Sequence, residues 1–388
     1  MLSISKMLSG QEETGDALRY RSTGRPPGPV VVWNSTRACN LRCRHCYASA
    51  TAGPAEGELS TAEAKRFIDG LAKAGVPVLL FSGGEPLMRP DFFELVEYAK
   101  ERGIRPVIST NGTLIAPEVA RRIKEAGVGY VGVSLDGLEE LNDRMRKVEG
   151  AFRMALEGIR NCVAVDQRVG LRFTITRENY RDIAAIFDLV EREGINRVCF
   201  YHLVSVGRGV SLRDQDLDPA TKRRVVDLII ERTADFCRRG LGKEILTVDN
   251  HADAVYIYLK LRQTAPEQAE RVYNWLKQTG GNRSGSGIGA VDWFGNVYPD
   301  QFTQNHPLGN VREQEFGEIW FGETHPLLKQ LRDRKPLLKG RCGSCRWLEI
   351  CNGNFRARAE AVYGDFWAPD PGCYLTDEEI GFAVHSSA

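Results

Sequence analysis

VVVWNSTRACNLRCRHCY, residues 30–47, decides the fold and points to the chemistry together. Its first five residues are β-branched, aromatic or polar in the pattern of a short buried strand, predicted at 30–34. Directly after it come Cys39, Cys43 and Cys46 in the spacing C-x3-C-x2-C. The same unit repeats outward from this point. Further strands are predicted at 76–81, 105–109, 129–135, 170–175 and 197–203, and the stretches between them, such as 61–75 and 117–127, carry helical periodicity and close on glycine, as capped helices do. Repeated β-helix-β connections force parallel pairing with right-handed crossovers. Motif after motif follows a strand, and in parallel barrels chemistry collects at the carboxyl ends of the strands. The expected fold is therefore α/β, a partial (β/α)6 barrel with a smaller C-terminal domain.

At 388 residues the chain exceeds one compact core. The expected divisions are an irregular lead-in at 1–28, the barrel at 29–240, a helical linker region at 241–289 and a C-terminal domain at 290–388. Lys plus Arg (52) nearly cancels Asp plus Glu (51), so no nucleic acid or anionic membrane partner is expected. No run has the length of an apolar membrane span, and the opening residues lack the apolar core of a secretory signal, which predicts a cytoplasmic protein. Ten cysteines in such a chain indicate metal ligands or catalytic thiols rather than disulfides. Cys162, Cys199 and Cys237 are scattered singly and read as small buried hydrophobes.

The other seven cysteines fall in two groups. Three thiolates on a four-iron cubane leave one iron open to an amine and a carboxylate. Zinc is the alternative, but it prefers four ligands, and His45 lies next to Cys46 in the loop, poorly placed to point the same way. The second group is Cys342, Cys345, Cys351 and Cys373, enough to close a site. Its spacing alone suits a zinc ribbon as well as an iron–sulfur cluster, and the company of the first group favours iron–sulfur. Full ligation there suits an electron relay.

With Tyr47 directly after Cys46, the first group resembles the signature of the radical S-adenosylmethionine (SAM) superfamily, and the C-x2-C-x5-C part of the second resembles its SPASM and twitch extensions. The resemblance implies a radical SAM barrel whose [4Fe–4S] cluster on Cys39, Cys43 and Cys46 binds S-adenosyl-L-methionine and cleaves it to a 5′-deoxyadenosyl radical. It also implies an auxiliary [4Fe–4S] cluster on Cys342, Cys345, Cys351 and Cys373. One auxiliary cluster is expected, because VDWFGNVYPD (291–300) lacks the cysteines of a two-cluster extension. By the same resemblance Ser82, Gly83, Gly84, Glu85 and Pro86 form the loop that binds the SAM amino group, although a tight β-to-α turn also explains the glycines. Ser109 and Asn111 end the third strand, and Ser134 and Arg172 match the pair that holds the SAM carboxylate. Asp136 either joins them or caps the next helix.

ISKMLSG, LRFTIT, VSVGRG, LTVDNHADAV, GNVYPDQF and DPGCYLTDEEIG, spread over nearly the whole chain, resemble the tetrapyrrole branch of this superfamily. That implies an iron tetrapyrrole substrate, 12,18-didecarboxysiroheme, losing its C2 and C7 acetate side chains to give Fe-coproporphyrin III, with an external low-potential electron donor. The related haem d1 enzyme removes propionates instead. Candidate substrate residues are Tyr201, His202, Arg208 and His251; alternation along the strand sends one of Tyr201 and His202 into the barrel. Arg356 and Arg358 stand near Cys351 as further cations for the active-site mouth. A peptide-modifying enzyme of the SPASM type is the alternative reading, for which no peptide-binding lead domain is apparent. A non-enzymatic iron–sulfur carrier or zinc-binding interaction protein leaves the open-iron spacing unexplained.

Overall fold

Alternation sorts the residues of the strand at 30–34. Trp33 is fully buried beneath the helix Thr61–Lys73, its ring 5.4 Å from that of Phe67, whereas Val30 and Val32 face the inside of the barrel. The helix starts where Ser60 and Glu63 cap it reciprocally. The computed structural model describes residues 1–10, 28–322 and 325–382. Numbered along the chain, its strands are Leu2–Ser3 (β1), Val30–Asn34 (β2), Val78–Ser82 (β3), Arg105–Thr110 (β4), Val131–Ser134 (β5), Val169–Ile175 (β6), Arg197–His202 (β7), Glu244–Val248 (β8), Ile288–Val291 (β9), Asn296–Tyr298 (β10) and Gly309–Asn310 (β11).

They form one sheet in the order β1-β8-β7-β6-β5-β4-β3-β2-β9-β10-β11. From β2 to β8 each strand pairs in parallel with the next in sequence, the layout that repeated crossover helices produce. Beyond β2, the parallel strand β9 continues into the antiparallel β10 and β11. Among the described residues, no helix is long and apolar enough to cross a membrane.

Two expectations need correcting. The parallel series has a seventh member, β8, in the region read as a helical linker. EILTV is five residues long and is followed at once by the helices Ala252–Thr264 and Pro266–Thr279, whose helical pattern masks so short a run. The start of the lead-in is also regular: β1 pairs antiparallel with β8, and Ile4–Ser9 is a helix capped by Ser3 and Gly10. Residues 11–27 of the lead-in lie outside the described residues.

Inside the barrel the small residues create space. Gly132 pairs with Gly170 across β5 and β6, and a Cβ at Gly170 would stand 2.4 Å from Tyr130 Oη. A Cβ at Gly132 would lie 2.9 Å from Arg172 Cδ. Glycine at both positions lets Tyr130 and Arg172 lie across the inner surface, which leaves the interior hollow rather than packed.

Ile4 and Met7 are fully buried, and Gln268 Nε2 donates to the carbonyls of Met7 and Leu8 at 2.7 and 2.8 Å, so the first helix seals the β8 edge of the sheet. Truncating Met7 to Ala should cost about 2–5 kcal/mol, the range for emptying a core site. Thermal unfolding of the anaerobic protein checks this, and an unshifted transition would place the segment outside the core.

Candidate active site

The cysteine loop is held by backbone contacts before any cofactor is considered. Cys39 N–H donates to Thr51 O at 2.7 Å, and Arg208 donates from its backbone N–H to Cys46 O (3.0 Å), from Nε to Cys43 O (3.0 Å) and from Nη1 to Ala50 O (2.6 Å). Gly207 is required beside it: its φ is +55°, and a Cβ would meet Tyr47 O at 2.3 Å. Arg208, expected to meet a substrate carboxylate, is thus engaged as the clasp of this loop.

All three thiols line an upper cavity of about 160 Å3 at the carboxyl ends of the strands. Donors converge on their sulfurs: Leu41 N–H and Asn111 Nδ2 on Cys39 at 3.4 and 3.9 Å, and Arg146 Nη1 on Cys43 at 3.4 Å. Burial pushes the Cys39 thiol up to about 12 and raises Cys43 as well. Thiolates in so dry a place need a cationic centre among them, and iron–sulfur ligation supplies one. His45 Nε2 is held by Asp136 at 3.0 Å.

Asp136 neither lines the cavity nor caps a helix, since the next helix, Glu139–Arg146, begins beyond Leu138. It is fully buried and pairs with Arg146, the residue that also reaches Cys43, while Oδ1 accepts from Thr174 N–H at 2.7 Å. Burial opposes its ionisation, but Arg146, His45 and the Thr174 N–H outweigh it and hold the carboxyl at about 2. Arg146 escaped the sequence reading because ELNDRMR resembles a solvated helix face.

Tyr47, Ser82, Gly83, Gly84, Ser109, Asn111, Ser134 and Arg172 line the upper cavity together. Glu85 and Pro86 do not. The turn at 82–85 packs backbone on backbone against the cysteine loop, with Gly84 N–H on Thr36 O and Glu85 N–H on Ala38 O, both 2.7 Å. A Cβ on Gly84 would stand 2.0 Å from Ala38 O. This turns the Glu85 side chain inward, where it accepts from Thr110 Oγ1 (2.7 Å) and Asn111 N–H (2.8 Å); burial pushes its carboxyl up to about 7. Tyr47 Oη donates to Asn34 Oδ1 at 2.8 Å. Arg172 lies over the Tyr201 ring at 4.9 Å, and among the described residues its guanidinium has no hydrogen-bond or ion-pair partner.

Arg172, Tyr201 and Asp249 also line a lower cavity of about 310 Å3, so the two spaces adjoin inside the barrel. Tyr201 and His202 both reach the upper cavity, because alternation lapses at the last residue of β7. His202 Nε2 is 2.9 Å from Asp253 Oδ2, and Tyr374 Oη donates to Asp253 Oδ1 at 2.7 Å, which makes His202 part of a buried structural network. His251 lines the lower cavity, and so does Cys199. Asp249 was not anticipated. It follows β8 with φ +66°, and burial pushes its carboxyl up to about 6. A strand read at 244–248 would have placed it at a strand end, where such residues are sought.

Cys342, Cys345, Cys351 and Cys373 converge at the far end of the chain. Burial raises the Cys351 thiol, and the nearness of Cys373, Cys342 and Cys345 raises it further. Trp347 N–H donates to Cys345 Sγ at 3.4 Å. Mutually close, half-buried thiols of this kind suit a multi-iron group.

Two outcomes follow from this geometry. Gly84→Ala should weaken SAM binding roughly tenfold or more, because backbone faces backbone and neither can yield; equilibrium binding measures it. Asp136→Asn should cost on the order of 2 kcal/mol. With a folded-state pKa below the unfolded value, this stabilisation is present above about pH 4 and lost as pH falls through about 2. The penalty should therefore shrink as pH falls from about 4 toward about 2, and a penalty unchanged across that range would refute the assignment.

Residues 33–190 match the Radical SAM superfamily, and residues 284–346 match the SPASM iron-sulfur cluster-binding domain. The chain is 54% identical over 396 residues, covering 98% of its own length and 99% of the relative's, to the Fe-coproporphyrin III synthase of Methanosarcina barkeri. It is 42% identical over 360 residues, 92% of this chain and 89% of the relative, to the pre-heme d1 synthase of Dinoroseobacter shibae. Its fold is similar to that of Streptococcus suis SuiB bound to S-adenosylmethionine, with a TM-score of 0.71 at 19% identity over 90% of this chain and 78% of that one. It is an enzyme that binds SAM and a [4Fe–4S] cluster in its barrel and carries an auxiliary iron–sulfur domain. With relatives of this kind along its full length, the chain belongs to the radical SAM superfamily, in the branch that contains Fe-coproporphyrin III synthase and pre-heme d1 synthase.

Proposed function

We propose that this enzyme removes the C2 and C7 acetate side chains of 12,18-didecarboxysiroheme to give Fe-coproporphyrin III. One observation carries the reading: the 54% identity to an Fe-coproporphyrin III synthase extends over essentially the whole of both chains. The hollow barrel supports it, since a macrocycle needs room below the SAM site.

Bound SAM, with the cluster on Cys39, Cys43 and Cys46, supplies a 5′-deoxyadenosyl radical that takes one hydrogen atom from the substrate. The backbone of Ser82–Gly84 receives the SAM amino group, and Arg172 with Ser134 receives its carboxylate, for which a half-buried guanidinium that lines the cavity is well suited. Cys342, Cys345, Cys351 and Cys373 hold the auxiliary cluster. A substrate radical next to the quaternary ring carbon breaks the bond to the acetate arm while a ring double bond forms. The departing carboxymethyl radical then takes up one electron, from the external low-potential donor, and one proton, and leaves as acetate. Asp249, at the junction of the two cavities, delivers the proton.

Anaerobic incubation with didecarboxysiroheme, SAM and a low-potential reductant should yield Fe-coproporphyrin III with about two 5′-deoxyadenosines each, one radical per arm. Mass spectrometry reads the product: propionate loss would move the enzyme to the haem d1 reaction, and an unchanged tetrapyrrole beside continued SAM cleavage would refute the substrate. Alanine at Cys39, Cys43 or Cys46 should abolish 5′-deoxyadenosine release.

Asp249→Asn should lower product formation roughly a hundredfold. Only the protonated acid donates, so the unaltered enzyme should lose rate as pH rises through about 6, and the variant should lack that limb. A limb that survives the substitution would assign the proton to another group.

A further inference from the structure

The lower cavity is divided by chemistry. Val30, Val78 and Val107 give one side an apolar wall, whereas Arg105, Arg168, Arg172, Arg197 and Arg283 gather on the rest. Two carboxylates, Asp249 and Asp300, line the space with these five arginines. Behind the wall Glu244 is shared between Arg168 and Arg197. A flat apolar body with several carboxylates at its edge matches such a chamber. Tyr130 Oη, on the same inner surface, is buried without a hydrogen-bond partner.

His251 also lines this chamber. It stands between Asp249 and the helix Ala252–Thr264, fixed through its backbone N–H, which donates to Asn354 Oδ1 at 2.7 Å. Its ring lines the cavity and its side chain meets Asn354; Nδ1 is shut off from the space, which leaves Nε2 as the nitrogen open to it. Burial pushes its pKa down to about 3, with nearby positive charge acting in the same direction, so the imidazole is neutral and keeps a lone pair. An unprotonated imidazole that turns its open nitrogen to a cationic and apolar chamber has one evident use, ligation of a metal carried in by the ligand. His202 differs in this respect, its Nε2 being held by Asp253.

We propose that the lower cavity seats the iron tetrapyrrole, its carboxylates toward the arginines, and that His251 is an axial ligand of its iron. The identity of the ligand rests on the function proposed above; the His251 bond is additional to it. Coordination through the neutral ring releases no proton and changes no oxidation state. It would fix the macrocycle below the SAM site and set which ring edge meets the radical.

The test uses the anaerobically reconstituted full chain without SAM, titrated with ferric Fe-coproporphyrin III. Its oxidised clusters are diamagnetic, so pulsed EPR reads the ferric tetrapyrrole alone. Isotope-labelled histidine should give coupling to a protein imidazole nitrogen. His251→Ala should lose that coupling and bind roughly tenfold more weakly, and added imidazole should restore the imidazole-ligated spectrum. Iron content verifies that the variant holds its clusters; if the alanine variant does not, His251→Gln is expected to show the same loss. Nitrogen coupling that persists in the variants, or that disappears in His202→Gln instead, would overturn the ligand assignment. Failure of the unaltered enzyme to bind the tetrapyrrole at all would overturn the underlying function.

Discussion

The buried carboxylate of Glu85 ties together the ends of three strands, and the placement of the cluster loop depends on it. Its backbone N–H reaches Ala38 after β2, its own chain continues from β3, and its side chain accepts from Thr110 and Asn111 at the end of β4. Burying a carboxyl costs several kcal/mol unless it is hydrogen-bonded, so the three connections stand or fall together. Asn111, positioned by Glu85 through its backbone, turns its side chain to Asn40 and toward Cys39 Sγ. The same constraint explains the glycines before it: only a residue without Cβ lets the turn approach Ala38 closely enough to form these bonds.

A second buried charge joins the C-terminal cysteines to the active site. Arg358 donates to Leu203 O (3.1 Å), to Asp249 O (2.6 Å) and to Asp370 Oδ2 (2.9 Å), and the Cys373 N–H donates to Asp370 O at 3.1 Å. One guanidinium therefore fixes the end of β7, the backbone of Asp249 and the segment that carries Cys373. Arg356 is equally buried and donates to Ala368 O at 2.6 Å. Rather than standing as free cations at the active-site mouth, both cross-brace the fold. Tyr47, Phe302 and Phe355 continue the brace with edge-to-face contacts at 5.4 Å between successive rings, from the cluster loop to the neighbourhood of Cys351.

The residues legible from sequence were those whose role is local. Val30–Asn34 and the five later strand runs announce themselves by composition, and Cys39, Cys43 and Cys46 by spacing. What escaped depends on distant partners. Arg146 becomes a contact of Cys43 only because its helix folds back across the cysteine loop, and Asp249 becomes a junction residue only because β8 completes the parallel series. The family resemblance implies that Glu85 faces SAM, and it leaves Asp136 either there or on a helix cap, yet each has its donors behind the cavity wall. Sequence position located the strand end; the hydrogen-bond partners decided which way the side chain turned.

The two cavities divide the work by the charge on their walls. The upper one is lined by thiols, small hydroxyl residues and the glycine turn, with Arg172 at its floor. Below Arg172 four further arginines line the lower space. In a medium of low dielectric such a gradient is not screened as it is in water, so a ligand with several carboxylates is drawn past the SAM site to the lower chamber. Asp249 stands where the two meet, and a fully ionised carboxylate there would repel both the substrate acids and the SAM carboxylate. Burial raises its pKa to about 6, which lessens that repulsion and, below that pH, leaves a proton at the point where the departing arm needs one. The strain of its left-handed backbone is offset by the Arg358 bond to its carbonyl, so the position of this acid is set by the brace that also anchors the auxiliary cysteines.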